Sequence, residues 1–153
     1  MRVLLTGCEG QLGRCFLDRA PENWDVFSAS RKELDITSKE DIRAVFEKFN
    51  PQVVLNAAAY TNVDKAEEDE DYARAVNAAG PKHLSENCAK TGALMIHIST
   101  DYVFDGTATM PYCEKNLISP SSVYGKTKAE GDAFVEFSGA QYIILRTAWV
   151  FSE

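Results

Sequence analysis

Apolar positions along the chain alternate between two rhythms. Residues 2–6, Arg-Val-Leu-Leu-Thr, form a short apolar run that meets glycine at once, the pattern of a buried strand feeding a turn. Residues 11–20 then space Leu12, Cys15, Phe16 and Ala20 three or four apart, one face of a helix that stops before Pro21. The same alternation recurs. Residues 26–29 read as a second strand, and Thr37, Ser38, Lys39 and Glu40 read as a capping box opening a helix with Ile42, Val45, Phe46 and Phe49 inward. Residues 53–56 follow as the third strand. Residues 66–91 read as one long helical stretch, broken by Pro81 and ended by Gly92. Residues 94–99 give a fourth strand, 123–138 a helix with Gly139 after it, and 142–145 a fifth strand. Strands alternating with helices predict an α/β fold, a doubly wound parallel sheet covered on both faces, with residues 1–153 as one domain. No closing helix follows the fifth strand, so the sheet reads as truncated there. Its last strand is expected to be an open apolar edge prone to pairing with another chain, as in a homodimer.

Composition narrows the function. A chain of 153 residues that is 45% hydrophobic and 25% charged is sized for one globular core. Its 23 acidic against 16 basic side chains leave a net charge of −7, which argues against binding nucleic acid through the phosphate backbone. No apolar run approaches the roughly 20 residues of a membrane span, and residues 1–7 lack an export signal. Cys8, Cys15, Cys88 and Cys113 match neither a zinc ribbon nor a disulfide framework, so reduced thiols in the cytoplasm are expected. No metal site is expected either. His83 and His97 have no partner at ligand spacing, and the consecutive carboxylates at 67–71 point in different directions on a helix start.

The chemistry begins in the first turn. Gly7, Gly10 and Gly13 recur every third residue between a strand and a helix, where a tight turn and the helix dipole suit a pyrophosphate. The second strand ends Ala29-Ser30-Arg31-Lys32, with cations where an acidic residue would read a ribose 2′-hydroxyl. Those cations suit a 2′-phosphate and favour NADPH, with NADH left open; solvated loop charges are the plain alternative. Tyr124 and Lys128 lie four apart on a helix, so the ammonium is expected to lower the phenol's pKa and make it a proton donor. Ser99 and Thr100 end the fourth strand at the edge where such sheets bind ligands, and the segment 101–122 is long enough to be a functional loop.

With Asn56-Ala57-Ala58-Ala59-Tyr60-Thr61-Asn62-Val63-Asp64, Ser99-Thr100-Asp101-Tyr102-Val103-Phe104, Tyr124-Gly125-Lys126-Thr127-Lys128 and Arg146-Thr147-Ala148-Trp149-Val150, the chain resembles the extended short-chain dehydrogenases/reductases over its whole length. Within them it resembles the dTDP-4-dehydrorhamnose reductase family, amino-terminal half only. The resemblance implies a Rossmann-like NAD(P)-binding domain and a reductase that uses NADPH or NADH on a nucleotide-linked 4-keto-sugar. Tyr124 would protonate the developing alkoxide, Lys128 would hold the nicotinamide ribose, and Thr100 would bond the carbonyl oxygen. Gly10, Gln11 and Leu12 would line the pyrophosphate, Asp35 and Ile36 the adenine, and Ala59, Tyr60 and Thr61 the nicotinamide side, with Ala57 and Ala58 also binding the cofactor. Val63, Asp101, Tyr102 and Trp149 match positions near the sugar. The family continues for nearly as long again, with a smaller domain that grips the nucleotide-sugar. A non-catalytic NADP-binding regulatory subunit and an epimerase or dehydratase of the same superfamily are the alternatives.

Overall fold

The first apolar run extends as β1 (Arg2–Thr6) in the computed structural model, which describes residues 1–151. Val3, Leu4 and Leu5 are at most 1% exposed, so both faces of the strand are covered, as in the middle of a parallel sheet. In chain order there follow α1 (Gln11–Arg19), β2 (Asp25–Ala29), α2 (Lys39–Phe49), β3 (Val53–Asn56), α3 (Val63–Glu68), α4 (Glu70–Arg74) and a π-helical turn (Ala75–Ala79). Then come α5 (Gly80–Thr91), β4 (Leu94–Thr100), a 3-10 turn (Asp101–Val103), α6 (Val123–Glu136) and β5 (Gln141–Thr147). All the pairings are parallel and the order is β2-β1-β3-β4-β5. The doubly wound Rossmann-like architecture expected from the alternation is the one observed. Leu4, Val54 and Met95 from the sheet pack with Ile42 and Phe46 of α2 and Leu84 and Cys88 of α5 to form the main core.

Two boundaries differ from the sequence expectation. Helix α2 is capped by Ser38, whose hydroxyl accepts from Asp41 N at 3.2 Å; Thr37 is unavailable because its own hydroxyl donates to Asp35 Oδ1 at 2.7 Å. The stretch 66–91 is not a single helix broken at Pro81. Asp69 ends α3 and caps α4 through Tyr72 N, and the chain then widens into the π-helical turn before Pro81 enters the first turn of α5. Proline has no N–H to give the carbonyl four residues back, and that residue is Asn77, inside the π-turn. Helix α5 ends, as expected, on Gly92 at φ +76°.

A row of polar side chains crosses the sheet on the face that α6 covers. Thr6, Asn56 and His97 are direct neighbours on β1, β3 and β4. Thr6 Oγ1 donates to Asn56 Oδ1 at 2.6 Å, and Asn56 Nδ2 donates to His97 Nδ1 at 3.0 Å, leaving the ring proton on Nε2. At the far side β5 is an edge strand, with Tyr142, Ile143 and Leu145 each 40–46% exposed. No helix among the described residues is long and apolar enough to cross a membrane.

Candidate active site

Strand order reverses direction at β1, which has β2 on one side and β3 on the other, and a crevice opens where their carboxyl-end loops part. Gly7 lies at φ +70°, and a Cβ there would fall 2.6 Å from Ala58 N and 2.7 Å from the Ala57 carbonyl carbon. Only glycine lets the two loops meet so closely. Gly13 is a packing residue and does not line the crevice, contrary to its expected contact with cofactor. Its Cβ would collide with Gly7 O at 2.4 Å, so it lets α1 lie against the turn. Gly10 differs from both: a Cβ would meet only Gly7 O, at 3.3 Å, and otherwise point into open space. It caps α1 without a side-chain acceptor, and the first helical turn carries no acidic residue. A small backbone at an acid-free helix start fits a pyrophosphate, so the residues present suit a dinucleotide.

The crevice has two lobes that share Gly10, Ala57 and Ala59. One lobe runs over the ends of β1 and β2, past Gly7, Ser30, Arg31, Asp35 and Ile36, and past Ala58 and Tyr60. The other, of about 570 Å³, holds Gln11, Leu12, Thr61 and Val63 together with Thr100, Tyr124 and Lys128. Asp101, Tyr102 and Trp149 form its rim, Tyr102 44% and Trp149 89% exposed. Apart from Gly13 and Lys32, every residue singled out from the sequence for cofactor, substrate or catalysis lines one lobe or the other.

Helix α6 is fixed firmly at its start, where Tyr124 lies. The Ser122 hydroxyl accepts from Gly125 N at 3.0 Å, and the Glu67 carboxylate of α3 accepts from Val123 N at 2.8 Å. The Glu67 carboxylate, one of the run at 67–71, thus ties two helices together. A Cβ on Gly125 would meet Tyr102 O at 2.2 Å, so the helix presses on the 3-10 turn and sets the Tyr102 and Tyr124 rings edge to face at 5.6 Å. Further along, a Cβ on Gly131 would meet Asn77 O at 2.1 Å, the carbonyl that Pro81 leaves without its helical partner. The Asn77 side chain pairs with the site from beneath: Oδ1 accepts from Tyr60 N at 2.8 Å, and Nδ2 donates to Tyr60 O at 3.0 Å and to Thr127 Oγ1 at 3.2 Å.

Tyr124, Lys128 and Asp132 form one buried stripe on α6, four residues apart. Lys128 is 2% exposed and donates from Nζ to Ile98 O at 2.7 Å. Burial pushes its ammonium down to about 8, and the Asp132 carboxylate works against that fall. Asp132 accepts from Ser99 Oγ at 2.8 Å and from Arg146 Nε at 3.2 Å, and its other oxygen lies 3.6 Å from His97 Nε2. Burial, followed by the charge on Lys128, holds the His97 ring well below its ordinary value, so it is neutral. The phenol of Tyr124 behaves differently from the sequence expectation. Burial pushes it up, the Thr100 hydroxyl opposes this, and Lys128 is not among the groups that move it. Thr100 Oγ1 donates to Asp101 Oδ1 at 3.1 Å and accepts from Tyr102 N at 3.2 Å. Sequence reasoning missed Asp132, although its i+4 spacing from Lys128 was visible. It also missed Asn77, whose role depends on the π-turn. No group of three or more metal-ligating side chains forms among the described residues.

A doubly wound sheet that brings a glycine turn, a strand-end hydroxyl, a phenol and a lysine to one edge defines a Rossmann-like domain. The chain belongs to the RmlD substrate binding domain family, whose profile matches residues 1–153. It is 42% identical over 154 residues to the dTDP-4-dehydrorhamnose reductase of Aggregatibacter actinomycetemcomitans, covering 99% of this chain and 52% of that protein. The crystal structure of a dTDP-4-dehydrorhamnose reductase from Clostridium acetobutylicum superposes with a TM-score of 0.97 at 44% identity, over 100% of this chain and 55% of that one. The Bacillus anthracis enzyme of that name, solved in complex with NADP, superposes with a TM-score of 0.96 at 36% identity, over 98% and 54%. The chain spans about half the length of the curated relatives it matches.

Proposed function

We propose that this chain is the cofactor-binding and catalytic portion of an NAD(P)H-dependent reductase of a nucleotide-linked 4-keto-sugar, dTDP-4-dehydro-L-rhamnose by the names of its relatives. One observation carries the proposal: Thr100, Tyr124 and Lys128 share a lobe with the first turn of α1, and that lobe joins the one that reaches Ser30 and Arg31. The start of α1 at Gly10, Gln11 and Leu12 would take the pyrophosphate, with Asp35 and Ile36 near the adenine and Ala59, Tyr60 and Thr61 near the nicotinamide. A bound nicotinamide would supply hydride to the keto carbon. Tyr124, kept protonated by burial, gives its proton to the oxygen that gains charge. Lys128 uses one of its three protons on Ile98 O, leaving two for a ribose and for the phenolate that remains. Thr100 turns its hydroxyl from Asp101 to the carbonyl oxygen, so its proton stabilises the same developing charge. Val63, Asp101, Tyr102 and Trp149 face the sugar. A nucleotide-sugar partner and a cytoplasmic setting go with this function, and all four cysteines are free thiols.

The test is calorimetric titration with NADPH and NADH, then oxidation of NADPH in the presence of the keto-sugar by this chain and by a full-length form. Binding followed by turnover that falls at least about 100-fold in Tyr124→Phe supports the proposal. Binding without turnover in the full-length form would make the protein a cofactor-binding regulatory subunit instead.

A further inference from the structure

The end of β2 holds more than the two cations visible in the sequence. The Glu33 side chain folds back on Ser30, and its Oε2 accepts both Ser30 N–H at 2.9 Å and Ser30 Oγ–H at 2.6 Å. The turn beneath is closed by Glu33 N and Leu34 N, which both donate to Ser30 O, at 3.1 and 3.0 Å. Ser30 lines the lobe together with Cys8 and Arg31, while the Glu33 side chain itself borders a neighbouring groove with Phe27, Asp41 and Lys48. Arg31 is engaged elsewhere: its guanidinium lies 5.3 Å over the Tyr72 ring and reaches Asp35 at 4.0 Å. The two donors that an anion would use at this strand end are thus held by an anion of the chain itself.

We propose that Glu33 is a specificity-determining residue, an internal competitor whose carboxylate occupies the Ser30 donors and must leave them before the 2′-phosphate of a dinucleotide can bind there. This rests on the cofactor site proposed above. A ligand with a free 2′-hydroxyl leaves the Ser30–Glu33 pair intact, whereas a phosphorylated one must displace it and gain the Arg31 charge in return. Glu33 thereby compresses the preference that Arg31 and Lys32 would otherwise impose.

The test compares ADP-ribose with 2′-phospho-ADP-ribose, which differ in that group alone, by titration calorimetry on the unchanged chain and on Glu33→Gln. Glutamine keeps an acceptor for the Ser30 N–H, so the turn stays closed while the charge is lost. The phosphorylated ligand should bind Glu33→Gln at least tenfold more tightly than the unchanged chain, with ADP-ribose affinity constant within twofold. Equal changes for both ligands, or none, would overturn the proposal and leave Glu33 a turn-closing residue. As an independent readout, the Glu33 carboxyl carbon resonance of the unchanged chain should move on adding the phosphorylated ligand only. A shift with both ligands, or with neither while both bind, also overturns it. If neither ligand binds the unchanged chain, the cofactor site itself is wrong and the competitor role falls with it, a result distinct from binding with an unaltered ratio.

Discussion

Gly131→Ala tests whether the close contact between α6 and the π-helical turn builds the site. The added Cβ would lie 2.1 Å from Asn77 O and 3.2 Å from the Asn77 carbonyl carbon, while ordinary contact begins at 3.4 Å. Both neighbours are backbone, so no side chain can swing aside, and the helix must retreat by about 1 Å. Alanine gains about 1 kcal/mol in helix propensity. Overpacking of this kind costs about 1–3 kcal/mol, here toward the upper end. The Asn77 to Thr127 bond at 3.2 Å stretches with the same movement, a loss of about 1 kcal/mol more. The net expectation is destabilisation by about 2–3 kcal/mol. With a urea slope of about 2 kcal/mol/M, the midpoint followed by circular dichroism falls by about 1 M. A retreat of about 1 Å also displaces Tyr124 and Lys128 enough to lower turnover by about 100-fold in a full-length form. A midpoint equal to or above that of the unchanged chain would refute the reasoning, since it would mean α6 does not press on the π-turn.

The two glycines that open α1 should separate cleanly. Gly13→Ala, with its Cβ 2.4 Å from Gly7 O, lowers the urea midpoint, whereas Gly10→Ala leaves stability within about 1 kcal/mol and weakens NADPH binding at least about tenfold by calorimetry. Lys128 titrates near 8 in the folded chain and near 10.5 unfolded, so between these values the unfolded chain holds more protons. Stability should therefore rise with pH across that interval, by on the order of 3 kcal/mol from this one group, and Lys128→Met should flatten the rise in urea midpoints. Asp132→Asn removes the charge that holds Lys128 up, so the same rise should begin about one pH unit lower; an unmoved onset would mean that Asp132 does not support the ammonium. Ile143→Lys on the exposed edge of β5 should reduce self-association measured by sedimentation, if that edge pairs between copies.

Elements with a strong local period were legible: the five strands and the ends of α1 and α5 follow from apolar spacing, Pro21 and Gly92. The π-turn was not, because it arises from a prohibition at Pro81 combined with the need to aim Asn77 at a loop 17 residues earlier. The residues around the crevice were legible because the glycine turn and the 124/128 pair lie within short segments. Their electrostatics were not. Spacing placed Lys128 beside Tyr124 but said nothing of the surrounding dielectric, and burial, not the ammonium, decides the direction at the phenol. Arg31 and Lys32 drew attention as cations, while nothing in the sequence singled out Glu33, because only the turn at Ser30 brings its carboxylate back. Gly13 matched the motif and serves packing, since a spacing pattern does not distinguish a glycine that faces a ligand from one that faces the chain.

The row Thr6–Asn56–His97 also governs how the strands find one another. Val53, Val54 and Leu55, like Leu94, Met95 and Ile96, are apolar on both faces, so burial alone would accept a sheet slipped by one position. Such a slip would turn the polar residues to the opposite face without partners, at about 1–3 kcal/mol for each group left unpaired. The row thus acts as a key in an otherwise featureless zipper, rejecting misaligned sheets by several kcal/mol. Because the key joins the last residues of β1 and β3 to His97, three residues before the end of β4, it also brings the glycine turn and the loop at 57–61 to one level and fixes how far β4 runs on past them to Thr100.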